Sequence, residues 1–206
     1  MAVRTRPTSW GIAITLVITA CLASCTSGQP KEDATSTATT TSTASTPASS
    51  PPATSMSPEG AAMSLSRGLI PRYYQAADEA IQDPAKANVE VFKDVAISSA
   101  LTDLQNLLAA SRDQGLHQVG GTTLVSIENP RVDLTLNATK NQIPTVQWDV
   151  CYDVSKLNVV DKDGKSVVLA DRPPRAVVLI GVSNYQYPSK EGWRVSFTKV
   201  QEGKKC

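Results

Sequence analysis

The chain has 206 residues, 41% of them hydrophobic and 5% aromatic, with a formal net charge of +1. No stripe of Lys and Arg stands out against the acidic residues, which argues against nucleic acid as a partner and against a polybasic membrane patch. One histidine and no Cys-x-x-Cys spacing give no basis for a metal or another cofactor.

Residues 1–24 have the layout of an export signal. Arg4 and Arg6 supply a positive amino-terminal region, and no charge occurs from Trp10 through Pro30. The apolar stretch 11–20 is shorter than the roughly 20 residues that a membrane helix needs, and its length suits a signal-peptide core. It closes on Leu22-Ala23-Ser24-Cys25, which resembles the bacterial lipobox and predicts lipidation at Cys25. Ile18-Thr19-Ala20-Cys21 is a poorer match to the same pattern. An uncleaved amino-terminal helix and plain secretion are the other readings. Two or three acyl chains on one cysteine hold a protein firmly to a bilayer, where a single chain binds only marginally. The expected location is the extracytoplasmic face of a cell membrane, reached through the lipid anchor. Loss of Arg4 and Arg6 with the signal takes the formal charge to −1.

Residues 25–66 read as the lipidated cysteine and a disordered tether. Every residue from Ala34 to Pro58 is Ala, Ser, Thr or Pro except Met56. Such a stretch has too little to bury to offset the entropy of ordering. As a flexible coil its ends would average about 35 Å apart, enough to lift a domain clear of the headgroups. The hydroxyl-rich composition is also compatible with O-glycosylation.

Residues 67–206 are expected to form one domain of ordinary size. Pro71 suits the first position of a helix, after which Tyr73, Tyr74, Ala77, Ala80 and Ile81 recur every three or four residues until Asp83-Pro84. A short helical or irregular piece over 89–95 follows. Leu101, Leu104, Leu107 and Leu108 mark a second amphipathic helix, capped at Ser98 or Ser99 and stopped at Gly115. After Gly120-Gly121 the period becomes two. Residues 124–127, then Val132, Leu134 and Leu136, then Val146, Trp148, Val150 and Tyr152 alternate with polar positions. Asp161 to Gly164 reads as a turn between strands over 157–160 and 167–169, while the apolar run 176–182 predicts a central strand covered on both faces. Trp193, Val195 and Phe197 alternate in a closing strand. Helices followed by antiparallel strands indicate an α+β fold, with the helices on one face of a curved sheet. Cys151 and Cys206 fall in this domain, and two thiols in an oxidising compartment favour a disulfide over two free thiols.

The run Tyr73-Tyr74-Gln75-Ala76-Ala77-Asp78, the helix from Leu101 to Gly115, Gly120-Gly121 and the closing Gly192-Trp193-Arg194-Val195 resemble the nuclear transport factor 2-like fold. More narrowly, the chain is similar to small tethered lipoproteins of actinobacteria and their phages. In those a cysteine on a middle strand pairs with one at the carboxy-terminus, matching Cys151 and Cys206. The resemblance implies a cone with a pocket between helices and sheet, for which Tyr73, Tyr74, Asp78 and Trp148 are the candidate lining.

No catalytic frame is visible. His117 follows a helix exit and reads as a surface or capping residue. Asp149 has the parity opposite to Trp148 and belongs on the polar face. Asp161 and Asp163 lack the later glutamate of a calcium loop, and no nucleophile elbow or phosphate loop occurs. The expected function is a non-catalytic binding module at the cell envelope, engaging an envelope protein, a cell-wall component or a small apolar ligand. A sharper form of that reading is a phage-encoded lipoprotein that blocks a second infection. The alternative is a pocket enzyme of the isomerase or dehydratase type.

Overall fold

The computed structural model describes residues 56–206. The signal peptide, Cys21, Cys25 and the tether up to residue 55 lie outside the described residues. In chain order the described elements are α1 (Pro58–Gln82), a 3-10 helix (Val89–Asp94), α2 (Ser98–Gln114), β1 (His117–Val119), β2 (Thr123–Asp133), β3 (Thr145–Asp153), β4 (Asn158–Val160), β5 (Arg175–Asn184) and β6 (Trp193–Val200). No described helix is long and apolar enough to cross a membrane.

The first helix begins at Pro58, well ahead of Pro71. Ser57 caps it by accepting the Gly60 N–H, and Pro58 takes the first turn, where its missing N–H costs nothing. Pro71 lies inside the helix. A mid-helix proline costs about 3 kcal/mol, but the buried stripe Ala62, Ser66, Leu69, Ile70, Tyr73 runs through it unbroken. Burying Leu69 and Ile70 alone is worth roughly 3–6 kcal/mol, which decides in favour of one long helix. Residues 58–66, assigned by composition to the tether, therefore belong to the domain.

The second helix buries Ala100, Leu104, Leu108 and Ser111 and ends at Gly115 in the left-handed conformation, φ 64°, as its position predicts. Neither Ser98 nor Ser99 caps it; Ile97 stands at the cap position without a side-chain bond. A pairing with β6 sets the entry instead. The Ile97 N–H donates to the Val195 carbonyl, and the Val195 N–H donates to Val95.

The main sheet is open and antiparallel, in the order β2-β3-β5-β6, so the apolar run 176–182 is a central strand, as expected. The chain is an α+β domain with its helices against one face of this sheet. Val146, Trp148, Val150, Val178, Ile180, Val182 and Val195 share a core with Ile70, Tyr73, Phe92, Leu104 and Leu108. The segment expected at 124–127 and the start of the one expected over 132–136 form one strand, β2, which ends at Asp133, so that Leu134 and Leu136 lie beyond it and Leu136 is exposed. The strand is interrupted by register shifts between Leu124 and Ser126 and between Glu128 and Arg131, with Asn129 at φ 52°. The turn from Asp161 to Gly164 forms, with Asp161 Oδ1 accepting from the N–H groups of Asp163 and Lys165. No strand follows it over 167–169. Leu169 is 76% exposed, and β4 pairs with β1 in a separate two-stranded sheet. His117 is thus a strand residue opposite Val160.

Candidate functional site

The space between helices and sheet is filled, and the four side chains expected to line a pocket there are engaged by the protein itself. The Trp148 indole Nε1–H donates to Ser66 Oγ at 3.0 Å. The Arg67 guanidinium lies 5.6 Å from the centre of the Trp148 ring and donates to the Ile127 carbonyl. Tyr73 meets Tyr74 edge-on, with ring centroids 5.5 Å apart. Burial first, then the negative charge of Asp103, push the Tyr73 hydroxyl up to about 12, against a hydrogen bond with Thr198 that lowers it. Tyr74 is pushed up as well, by burial first and then by Tyr152, Tyr73 and Asp78. A general base needs a pKa near the working pH, and these phenols are moved away from it.

Asp78 is a structural clamp. Its Oδ1 accepts from Gln118 Nε2 at 2.7 Å and from the Thr122 hydroxyl at 3.0 Å, and its Oδ2 accepts the Thr122 N–H at 2.7 Å. These bonds fasten the turn at Gly120-Gly121 to α1. The turn is tight: Gly120 has φ 79°, and a Cβ there would lie 2.0 Å from the Lys156 carbonyl oxygen. His117 lies elsewhere, lining a surface cavity of about 380 Å³ with Asp83 and Arg112. Among the described residues no three His, Cys, Asp or Glu side chains gather as metal ligands.

One open cavity, of about 670 Å³, lies between the start of α1 and Tyr187, Pro188 and Trp193; the outer face of the sheet carries others that are more polar. Asp149 lies on that face, as its parity predicts, yet it is 8% exposed because the carboxy-terminal tail covers it. The Gln201 N–H donates to the Val177 carbonyl and leads the tail back across the sheet. There Lys204 reaches Asp149 at 3.2 Å, and Cys206 bonds Cys151 across a Cα–Cα distance of 5.9 Å. Arg131 at 3.0 Å and Asn129 at 3.2 Å complete the shell around the carboxylate. Burial pushes the Asp149 carboxyl up, but the hydrogen bonds from Arg131, Lys204 and Asn129 together outweigh it and hold the group below the usual carboxylate range. Asp153 is held low too, by hydrogen bonds first from Ser155 and then from Arg175.

Both carboxyls bind protons less tightly folded than unfolded. Their stabilisation is therefore complete above the unfolded value of 3.8 and is lost as pH falls through the lower folded values. Urea midpoints are expected to stay level from about pH 5 to 7 and to fall below about pH 4. A midpoint that rises between pH 5 and 3 would contradict this assignment.

Beyond the tail, a groove of about 620 Å³ crosses the strands, within the range of roughly 300–1,000 Å³ common to small-molecule sites. It runs from Arg131 on β2 over Thr145 and Gln147 on β3 and Ser183 on β5 to Ser196 and Phe197 on β6. Tyr185 and the start of α2 form its far end. The hydroxyls of Thr145, Ser183 and Ser196 form a ladder with steps of 2.8 Å, and Thr145 and Ser196 also reach the Ile143 and Gly181 carbonyls, so three hydroxyl protons are shared over four contacts. Gln147 makes no side-chain hydrogen bond to a described residue, so its amide is available to a ligand. Sequence reasoning missed this groove. Its one signal was polar residues at alternate positions (Thr145, Gln147, Asp149) of an otherwise buried strand.

No protein-family model matches the chain, and no curated protein does. Among solved structures it is similar to the intermembrane space region of the chloroplast protein ARC6, with a TM-score of 0.44 and 16% identity over 68% of this chain and 95% of that one. It is also similar to a de novo designed β-sheet protein, with a TM-score of 0.28 and 11% identity over 68% of this chain and 88% of that one.

Proposed function

We propose that the chain is an exported lipoprotein, anchored through Cys25, whose domain binds an envelope component without acting on it chemically. The observation that carries this reading is the contrast between the two faces of the sheet. The inner face, where a nuclear transport factor 2-like enzyme would hold its substrate, is closed by packed side chains whose polar atoms serve one another. The outer face offers a polar groove with an unengaged amide. The helices-first order and the irregularities in β2 and β6, which bend a sheet, support the cone-like architecture. The export reading rests on Arg4, Arg6 and the ending Leu22-Ala23-Ser24-Cys25.

Two measurements on the full chain in cells test the proposal. The protein should sediment with membranes, and Cys25→Ala should release it or leave it unprocessed, whereas Cys21→Ala should do neither. A photo-reactive phenylalanine analogue in place of Gln147 should cross-link to an envelope component, and the same analogue in place of Glu79, exposed on α1, should not. A protein that stays in the cytoplasm, or a Gln147 position that yields no adduct, overturns the proposal.

A further inference from the structure

We infer that the outer groove is a saccharide site, in which one sugar ring stacks on Phe197 while its hydroxyls are read by Gln147 over a floor of hydroxyl oxygens. This rests on the proposed binding role and names the chemical class of the envelope component. The decisive geometry lies at Gly181. A Cβ built there would fall 2.0 Å from Phe197 Cε1 and 2.5 Å from both ring neighbours of that atom, Cδ1 and Cζ. Near-equal distances to the two neighbours, only slightly longer than the shortest one, are those of an approach along the ring normal. The phenyl ring therefore lies flat on the glycine backbone, in register with it. One ring face is spent on the sheet, and the half-buried side chain turns the other toward the groove.

A ring held this way loses little freedom when a ligand arrives, which keeps the cost of binding low. Its negative face suits the polarised C–H groups on the flat side of a pyranose. The polar surroundings fit the rest of a sugar. A sugar hydroxyl both donates and accepts, and so does the free Gln147 amide, while the ladder of Thr145, Ser183 and Ser196, its protons committed within the protein, adds acceptor oxygens at the floor. The charge balance points the same way. Arg131 is the cation in the lining, and it is already paired with Asp149 and flanked by Asp133. With no surplus of either sign, the groove complements a neutral polyol better than a phosphate or a charged peptide. Its hydroxyl-lined floor is ill suited to a lipid tail. Tyr185, 58% exposed at the far end with its phenol 3.2 Å from Ser98 Oγ, offers a second ring for a further sugar unit.

Isothermal titration of the mature protein with three named probes decides the matter: chitotetraose, maltotetraose and the anionic tetramer of galacturonic acid. At least one of the two neutral oligosaccharides should bind, and more tightly than the anionic tetramer. Phe197→Ala should weaken that binding by about tenfold or more, as loss of a stacking ring does elsewhere. Gln147→Leu, a surface change of similar size that keeps the fold, should weaken it several-fold, with the thermal melt of each variant confirming that it is folded. Absence of binding to all three at millimolar concentration, or binding that survives both substitutions, overturns the saccharide assignment. If Gln147 then still cross-links in cells, to a protein for instance, the broader binding role stands and only the ligand class falls. If it does not, both fall.

Discussion

Cys206→Ser is expected to lower the stability of the domain by about 4 kcal/mol, on the chain-entropy model for a loop closed over 55 residues. Against a typical total of about 5–15 kcal/mol, that is a large share, and it corresponds to a fall in Tm on the order of 10–15 °C. The entropy of the unfolded loop carries most of the effect. The tail's own bonds add little: the Lys204–Asp149 pair is half-exposed on the lysine side, and such pairs contribute at most about 1 kcal/mol. Asp149 would keep Arg131 and Asn129, so no bare buried charge is created. Cys151→Ser should give a similar loss, and the double variant should lose little more than either single one, because all three remove the same cross-link. Thermal melts with free-thiol titration check this. Two reactive thiols from Cys151 and Cys206 in the unreduced protein would refute it.

The elements visible in the sequence are those whose signal is local. The second helix shows its leucine spacing and its glycine stop, β3 and β6 alternate, and β5 reads as a continuous apolar run. The amino-terminal third of α1 is hidden because residues 58–66 share the Ser/Ala-rich composition expected of a tether. They become helical through interactions distant in sequence, chiefly Ser66 with Trp148, and tertiary burial overrides a weak local propensity. A strand of three residues such as β1 leaves no periodic trace, and its partner β4 lies about 40 residues further on. The parity of Asp149 is legible but its burial is not, since the tail that covers it arrives from the far end of the chain. The disulfide is suggested by the cysteine count, which leaves Cys151 and Cys206 as the two cysteines of the domain. The groove depends on register: Thr145 opposite Ser183 and Gly181 opposite Phe197 are pairings that composition cannot announce.

Trp148→Ala is expected to cost about 3–5 kcal/mol, the usual range for removing a buried aromatic side chain. The indole is 3% exposed and joins the sheet to α1 in two ways, by donating to Ser66 Oγ and by lying under Arg67. Alanine removes the packed area, leaves a cavity the helix cannot close without moving, and strands the Ser66 oxygen without its donor. Trp148→Phe separates these terms. It keeps most of the ring and the surface under Arg67, while Ser66 still donates to the Met63 carbonyl at 3.1 Å. What remains is one buried acceptor without a partner, worth about 1–3 kcal/mol. Urea unfolding of both variants should show lowered midpoints with an unchanged m-value, the signature of lost stability in a domain that still unfolds from the same native state. The phenylalanine variant also tests which face of the sheet binds. Trp148 points into the core and the groove lies on the other side, so oligosaccharide affinity should match the wild type at temperatures where the variant is folded. A Trp148→Phe protein that keeps its stability but loses its ligand would place the binding site between helices and sheet after all.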